Sequence, residues 1–222
     1  MKLPFLSIVV LLFLSGCWAS AIGTLQFSEP YVENGDQKHL LKDGVAFLDG
    51  LSIAVIPINY RRSQKGAGPL VLPIVPVGSD PRYQGQGKHF RIVIELEALS
   101  SDISFDPTIV DLLIDNEAFR PVRTSSPYRG VYGTRTAWYR VLPGHVAWAC
   151  DYREDAPLGK EVRTAMPVSD RACIAVEFAV NTPATSQEFS VRIRGLMKGG
   201  VIISVPTFHF RPSTATYTYR IM

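Results

Sequence analysis

Prolines and glycines interrupt this chain too often for helices of ordinary length: 16 prolines and 17 glycines are spread over 222 residues. What survives between them is short, apolar and often alternating. Phe90, Ile92, Ile94 and Leu96 share one face of an extended segment, opposite Arg91, Val93, Glu95 and Glu97. Ile174, Val176 and Phe178 repeat the pattern, as do Phe189, Val191 and Ile193. Residues 51–59 are apolar and β-branched enough for a strand, and Pro57 places its end at an edge or bulge. Residues 105–122 suggest two short strands about Asp115-Asn116, and 201–210 follow a Gly199-Gly200 turn. Tyr217, Tyr219 and Ile221 close the chain. Residues 60–88, which hold prolines 69, 73, 76 and 81, read as a long excursion with an irregular edge strand at 70–77. The best helical window, 108–118, is short, and Asp106-Pro107 before it suits a helix cap as well as a strand start. Together these segments predict an all-β fold, an antiparallel β-sandwich with long irregular loops. An immunoglobulin-like arrangement is the first choice, although the Cys-Trp-Cys spacing of antibody domains is absent.

The first seventeen residues, MKLPFLSIVVLLFLSGC, begin basic at Lys2 and continue with an apolar core over 3–13. That core is within signal-peptide range and well short of the roughly twenty residues of a membrane-spanning helix. Leu14-Ser15-Gly16-Cys17 follows directly and resembles the lipobox of bacterial lipoproteins. The resemblance covers these four residues alone. It implies cleavage before Cys17, a diacylated thiol of the palmitate type on that residue, and an acylated amine. One acyl chain anchors marginally and two or more anchor stably, so the implied partner of Cys17 is a membrane. Trp18, where an Asp would retain a lipoprotein in the inner membrane, implies the outer membrane of the bacterial envelope. A rival cut exists at Ala19-Ser20-Ala21, an ordinary signal-peptidase site that would release a soluble, secreted protein starting at Ile22. On the lipobox reading, 1–16 are leader, 17–45 an anchored N-terminus and tether with a first strand near 25–27, and 46–222 one sandwich domain.

A mature chain of roughly two hundred residues is long enough to bury a core. Its 46% hydrophobic and 19% charged residues argue for a globular fold. Loss of Lys2 takes the net charge from +3 to +2, too little for a nucleic-acid partner, and no nucleic-acid-reading pattern accompanies it. Cys150 and Cys173 remain after Cys17 is set aside. An even pair in an exported chain predicts a disulfide, against two buried free thiols. The loop it closes spans about two dozen residues and is worth about 3 kcal/mol. The pair lacks the CxxC spacing of a zinc site, and no metal is expected.

Residues 123–153 concentrate arginines and aromatics in a glycine- and proline-rich stretch. Arg129, Tyr132, Arg135, Trp138, Tyr139, His145 and Trp148 form the candidate binding surface. Arginine offers forked donors to carboxylate or phosphate, and aromatic faces stack on sugars or apolar groups. An envelope glycan, a lipid head group or a protein would each suit it. The competing reading packs the aromatics onto the sandwich beneath arginine stems. Asp102, Asp106, Asp111, Asp115 and Glu117 lack the glycine of a calcium loop and are expected to be solvent-facing strand residues and turn formers. His39, His89, His145 and His209 show no HExxH spacing, and no nucleophile elbow or phosphate loop occurs. No catalytic residue and no cofactor is predicted. The expectation is a non-enzymatic binding or scaffold module of the envelope. The alternatives are a hydrolase of envelope polymers with a spatially assembled site, or a structural subunit of a secretion or surface assembly.

Overall fold

The computed structural model describes residues 19–33, 41, 42, 44–48, 50–67, 87–125, 159–168 and 171–221. Among these, sixteen strands and one 3₁₀ turn (Pro107–Ile109) follow one another. The strands are β1 (Ala19–Tyr31), β2 (Leu41–Lys42), β3 (Val45–Leu48), β4 (Leu51–Pro57), β5 (Arg61–Ala67) and β6 (Phe90–Ala98). Next come β7 (Ile103–Phe105), β8 (Val110–Ile114), β9 (Glu117–Phe119), β10 (Pro121–Thr124) and β11 (Met166–Pro167). The last are β12 (Arg171–Phe178), β13 (Phe189–Ile193), β14 (Leu196–Lys198), β15 (Val201–Ile202) and β16 (Phe208–Ile221). The fold is all-β, and every strand pairing described is antiparallel.

Three sheets result. Sheet A runs β5-β1-β16-β13-β8-β9, sheet B runs β10-β12-β6-β4-β3-β2, and a smaller sheet C runs β11-β7-β14-β15. The alternation of β6 sets the inner face of sheet B: Ile94 lies opposite Ile174 on one side and Val55 on the other, and Leu96 opposite Ala172 and Ile53. From sheet A, Phe208, Val191 and Leu112 form a matching row. All of these are in one core, joined by Ile103, Phe105 and Leu196 of sheet C. Phe189 stacks on Phe210 at 4.7 Å within sheet A and meets Phe90 of sheet B edge-on at 5.4 Å, so aromatic contacts cross between the sheets. This packing establishes a sandwich; an immunoglobulin-like topology does not follow from these strand orders.

Sheet B is buried on its other face as well. Val45, Ala54, Ile56, Ile58, Val93 and Cys173 make a second buried cluster there. A sheet covered on both sides reads as a continuous apolar run, which is why residues 51–59 show little alternation.

Turn chemistry behaves as the sequence implies. Asp115 and Asn116 take positive φ (50° and 68°) between β8 and β9, and Gly199 and Gly200 do so (57° and 81°) between β14 and β15. Two left-handed central residues match the twist of a tight hairpin. Asp106 resolves as a cap, its carboxylate accepting from the Thr108 backbone N–H at 3.0 Å, but over a single 3₁₀ turn rather than a helix through 118.

Three elements differ from expectation. The excursion after Tyr60 begins with a strand, β5, whose polar sequence RRSQKGA hides it; it is an edge strand held by β1. The segment 70–77 lies outside the described residues. The first strand is thirteen residues long rather than a short piece near 25–27. The closing strand runs unbroken from Phe208 through Pro212 to Ile221. Proline is tolerated because pairing with β13 ends at Phe210, so position 212 has only β1 beside it among the described residues.

Candidate functional site

The inward face of sheet A is apolar, so the charged side chains of its strands gather on the other face. Arg192 of β13 stands directly opposite Asp111 of β8. Leu112 pairs with Phe119 across the β8–β9 hairpin, which carries Arg120 to the position opposite Asp111 on the far side. Asp111 is thus flanked by Arg192 on β13 and by Arg120, the residue that follows β9. A third, Arg194, follows the end of β13 and is set by backbone contacts: its N–H donates to Ile109 O at 3.2 Å, and Asp106 N–H donates to Gly195 O at 2.8 Å.

Three guanidinium groups converge on this carboxylate. Arg120 Nε lies 3.1 Å from Oδ1, Arg192 Nε 3.1 Å from Oδ2, and Arg194 Nη2 2.9 Å from Oδ2 and 3.2 Å from Oδ1. The Asp111 side chain is 2% exposed, whereas the three arginine side chains are 43–56% exposed. The carboxylate is therefore the buried hub and the arginines are its open rim. Three positive charges against one negative leave the group two positive charges in excess.

A second row crosses the same face. Tyr31 of β1 and Ser190 of β13 both pair with His209 of β16. Ser190 Oγ and His209 Nδ1 are 2.8 Å apart, and the Tyr31 and His209 rings are 5.4 Å apart. Arg211 sits 5.4 Å over the Tyr31 ring and bonds Glu29 at 3.2 Å. Desolvation, helped by the charges of Glu33 and Glu188, pushes the Tyr31 hydroxyl above its ordinary value of 10.0, with Arg211 opposing. A serine–histidine pair can serve nucleophilic catalysis when a carboxylate orients the imidazole. Among the described residues no carboxylate is seen hydrogen-bonded to His209, whose Nδ1 is taken by Ser190 Oγ. On the outer side of sheet B, Arg91 binds Glu177 through both Nε (3.0 Å) and Nη2 (2.8 Å).

The residues singled out by sequence are distributed unevenly. Cys17, Cys150, Arg129, Tyr132, Arg135, Trp138, Tyr139, His145 and Trp148 lie outside the described residues, as does His39. Cys173 lies on β12, fully buried in the second cluster of sheet B, and is not a free thiol. His89 is exposed. Of the five acidic residues, Asp106 caps the 3₁₀ turn, Asp102 accepts from Ser100 Oγ and Asp115 shapes a hairpin. Asp111 departs from its expected solvent-facing role, because register places arginines on both sides of it. Among the described residues no three His, Cys, Asp or Glu side chains form a metal-binding group.

Arg120, Arg192 and Arg194 were not apparent as a set in the sequence. Arg120 had a local signal, since extending the three-pair hairpin about Asp115-Asn116 by one further pair places it opposite Asp111. Arg192 and Arg194 lie 81 and 83 residues from Asp111 and had none. Compared with known proteins, the chain matches no family model, no curated protein and no solved structure.

Proposed function

We propose that this protein is a lipid-anchored module of the bacterial envelope that binds or scaffolds rather than catalyses. Cys17 holds it to the outer membrane, and the sandwich faces an envelope partner. The observation that carries the reading is the outer face of sheet A, where arginine forks are held by a buried carboxylate and left open to solvent. Such forks recognise carboxylate and phosphate.

Two features support the anchored form. The described part of β1 starts at Ala19, two positions after Cys17 in the sequence. Cleavage after Ala21 would remove Ala19, Ser20 and Ala21, which pair with Ile221, Arg220 and Tyr219. The lipobox cut keeps that ladder whole. Residues 129–148 serve as a second contact region in this proposal, on the segment that leaves β10 at the edge of sheet B. The Cys150–Cys173 bridge belongs to it too, supported by the burial of Cys173 and its lack of a free thiol. The hydrolase alternative has one footing, the Ser190–His209 pair, and there the imidazole lacks an orienting carboxylate among the described residues.

Mass spectrometry of the mature N-terminus tests the anchor. The expected product begins at Cys17 with acyl mass, and Cys17→Ala moves the protein out of the membrane fraction. A wild-type product that begins at unmodified Ile22 refutes it.

A further inference from the structure

We propose that the arginines around Asp111 form a binding site for a phosphoryl dianion, with Asp111 as the internal counter-charge that holds the three forks in position. A guanidinium carries five N–H donors, and Asp111 engages one nitrogen of each arginine. Arg120 and Arg192 meet it through Nε, an engagement of the Nε edge that leaves the terminal edge of each planar guanidinium for a ligand. All three side chains stay about half exposed, so those donors are within reach of a ligand.

Charge selects the ligand. One carboxylate is fully compensated by one bidentate arginine. Three arginines on the same two oxygens repel one another, and the excess of two positive charges is what a dianion relieves. A tetrahedral phosphoryl group presents three terminal oxygens, enough to accept from all three forks. A monoanionic carboxylate has two oxygens and half the charge. Register sets Arg192 of β13 opposite Asp111 of β8, and Arg120 and Arg194 follow directly on the ends of β9 and β13, so the site is built on the edge region of a sheet. The phosphoryl group has two sources in an envelope: free phosphate and the monophosphate head group of a lipid. This inference rests on the outer face of sheet A being a recognition surface. It does not rest on the anchor, so an unmodified N-terminus would leave it standing.

The test uses the full chain with inorganic phosphate as the probe, and potassium chloride and acetate at matched ionic strength. Binding is read by calorimetry and by thermal shift. Phosphate should raise the melting temperature by several degrees where chloride and acetate do not. The double variant Arg192→Gln/Arg194→Gln should bind at least tenfold more weakly, and Arg120→Gln alone should weaken binding by a smaller factor. Arg211→Gln, on the same face but outside the group, should stay within twofold of the wild type. Melting without phosphate verifies that each variant is folded. A second arm uses phosphatidylcholine vesicles with and without phosphatidic acid. Binding to the acidic vesicles that exceeds that to phosphate assigns the lipid head group, and equal or weaker binding assigns free phosphate. The proposal is overturned if neither probe binds beyond chloride, or if Arg211→Gln loses as much as the double variant.

Discussion

Asp111 shows how a single residue acquires its role from register. A carboxylate withdrawn from water is stable only when it is paired, and the loss of the charge at such a hub is costly. Asp111→Asn keeps the shape but leaves three guanidinium charges facing a neutral amide, and we expect a loss of roughly 3 kcal/mol. The rim behaves differently. Each arginine is about half exposed and water screens its contribution, so Arg192→Gln should cost less than about 1 kcal/mol. Urea unfolding of the two variants measures the asymmetry, and equal losses would contradict the division into hub and rim. In the sequence, Asp111 was one member of a loose acidic run. Only the hairpin that brings Arg120 opposite it separates it locally from Asp102 and Asp106, because the other two side chains that define it lie 81 and 83 residues away.

At the scale of elements, what was legible is what is locally encoded. The strands with clean alternation (β6, β12 and β13) have one face in the shared core, and both tight hairpins have turn residues that accept positive φ. What stayed hidden has a physical cause in each case. β5 is an edge strand with polar composition, so its partner β1 defines it rather than its own apolar pattern. β4 was legible as a strand from its apolar, β-branched composition, but its burial on both faces erases the period that would have told its inner side. The close approach of the chain after β13 to the turn after β7 is equally silent, yet it rests on one residue. A Cβ on Gly195 would come within 2.1 Å of the Asp106 carbonyl oxygen, a backbone atom that cannot swing aside. Gly195→Ala should therefore cost roughly 3 kcal/mol by overpacking. Because Arg194 adjoins Gly195, phosphate affinity should fall in the same variant. A melting temperature within one or two degrees of wild type, which for a domain of this size corresponds to less than about 1 kcal/mol, would show that the backbone yields there.

At the scale of the whole molecule, the sandwich was foreseeable and the arginine-lined face of sheet A was not. Turn density and alternation specify an antiparallel β fold, whereas the outer surface of sheet A depends on which strands become neighbours. The expected bridge between Cys150 and Cys173 is also a property of this scale, because it would constrain the unfolded chain more than the folded one. Its reduction should lower stability by about 3 kcal/mol for a loop of this length. A non-reducing peptide map gives the direct reading: the two cysteines should travel in one linked peptide, and free alkylation of both would remove the bridge.

The long pairing of β1 with β16 has a mechanical consequence. Thirteen register positions join them, from Ala19 opposite Ile221 to Tyr31 opposite His209, and β5 supports the other side of β1 over residues 20–26. A pull on the chain ahead of Ala19 runs along the strand axis, at right angles to the inter-strand hydrogen bonds. The load is then shared in shear by all the rungs at once instead of opening them one by one. A domain held from that end resists drag as a lap joint does, and the neighbouring strands carry the force into the core.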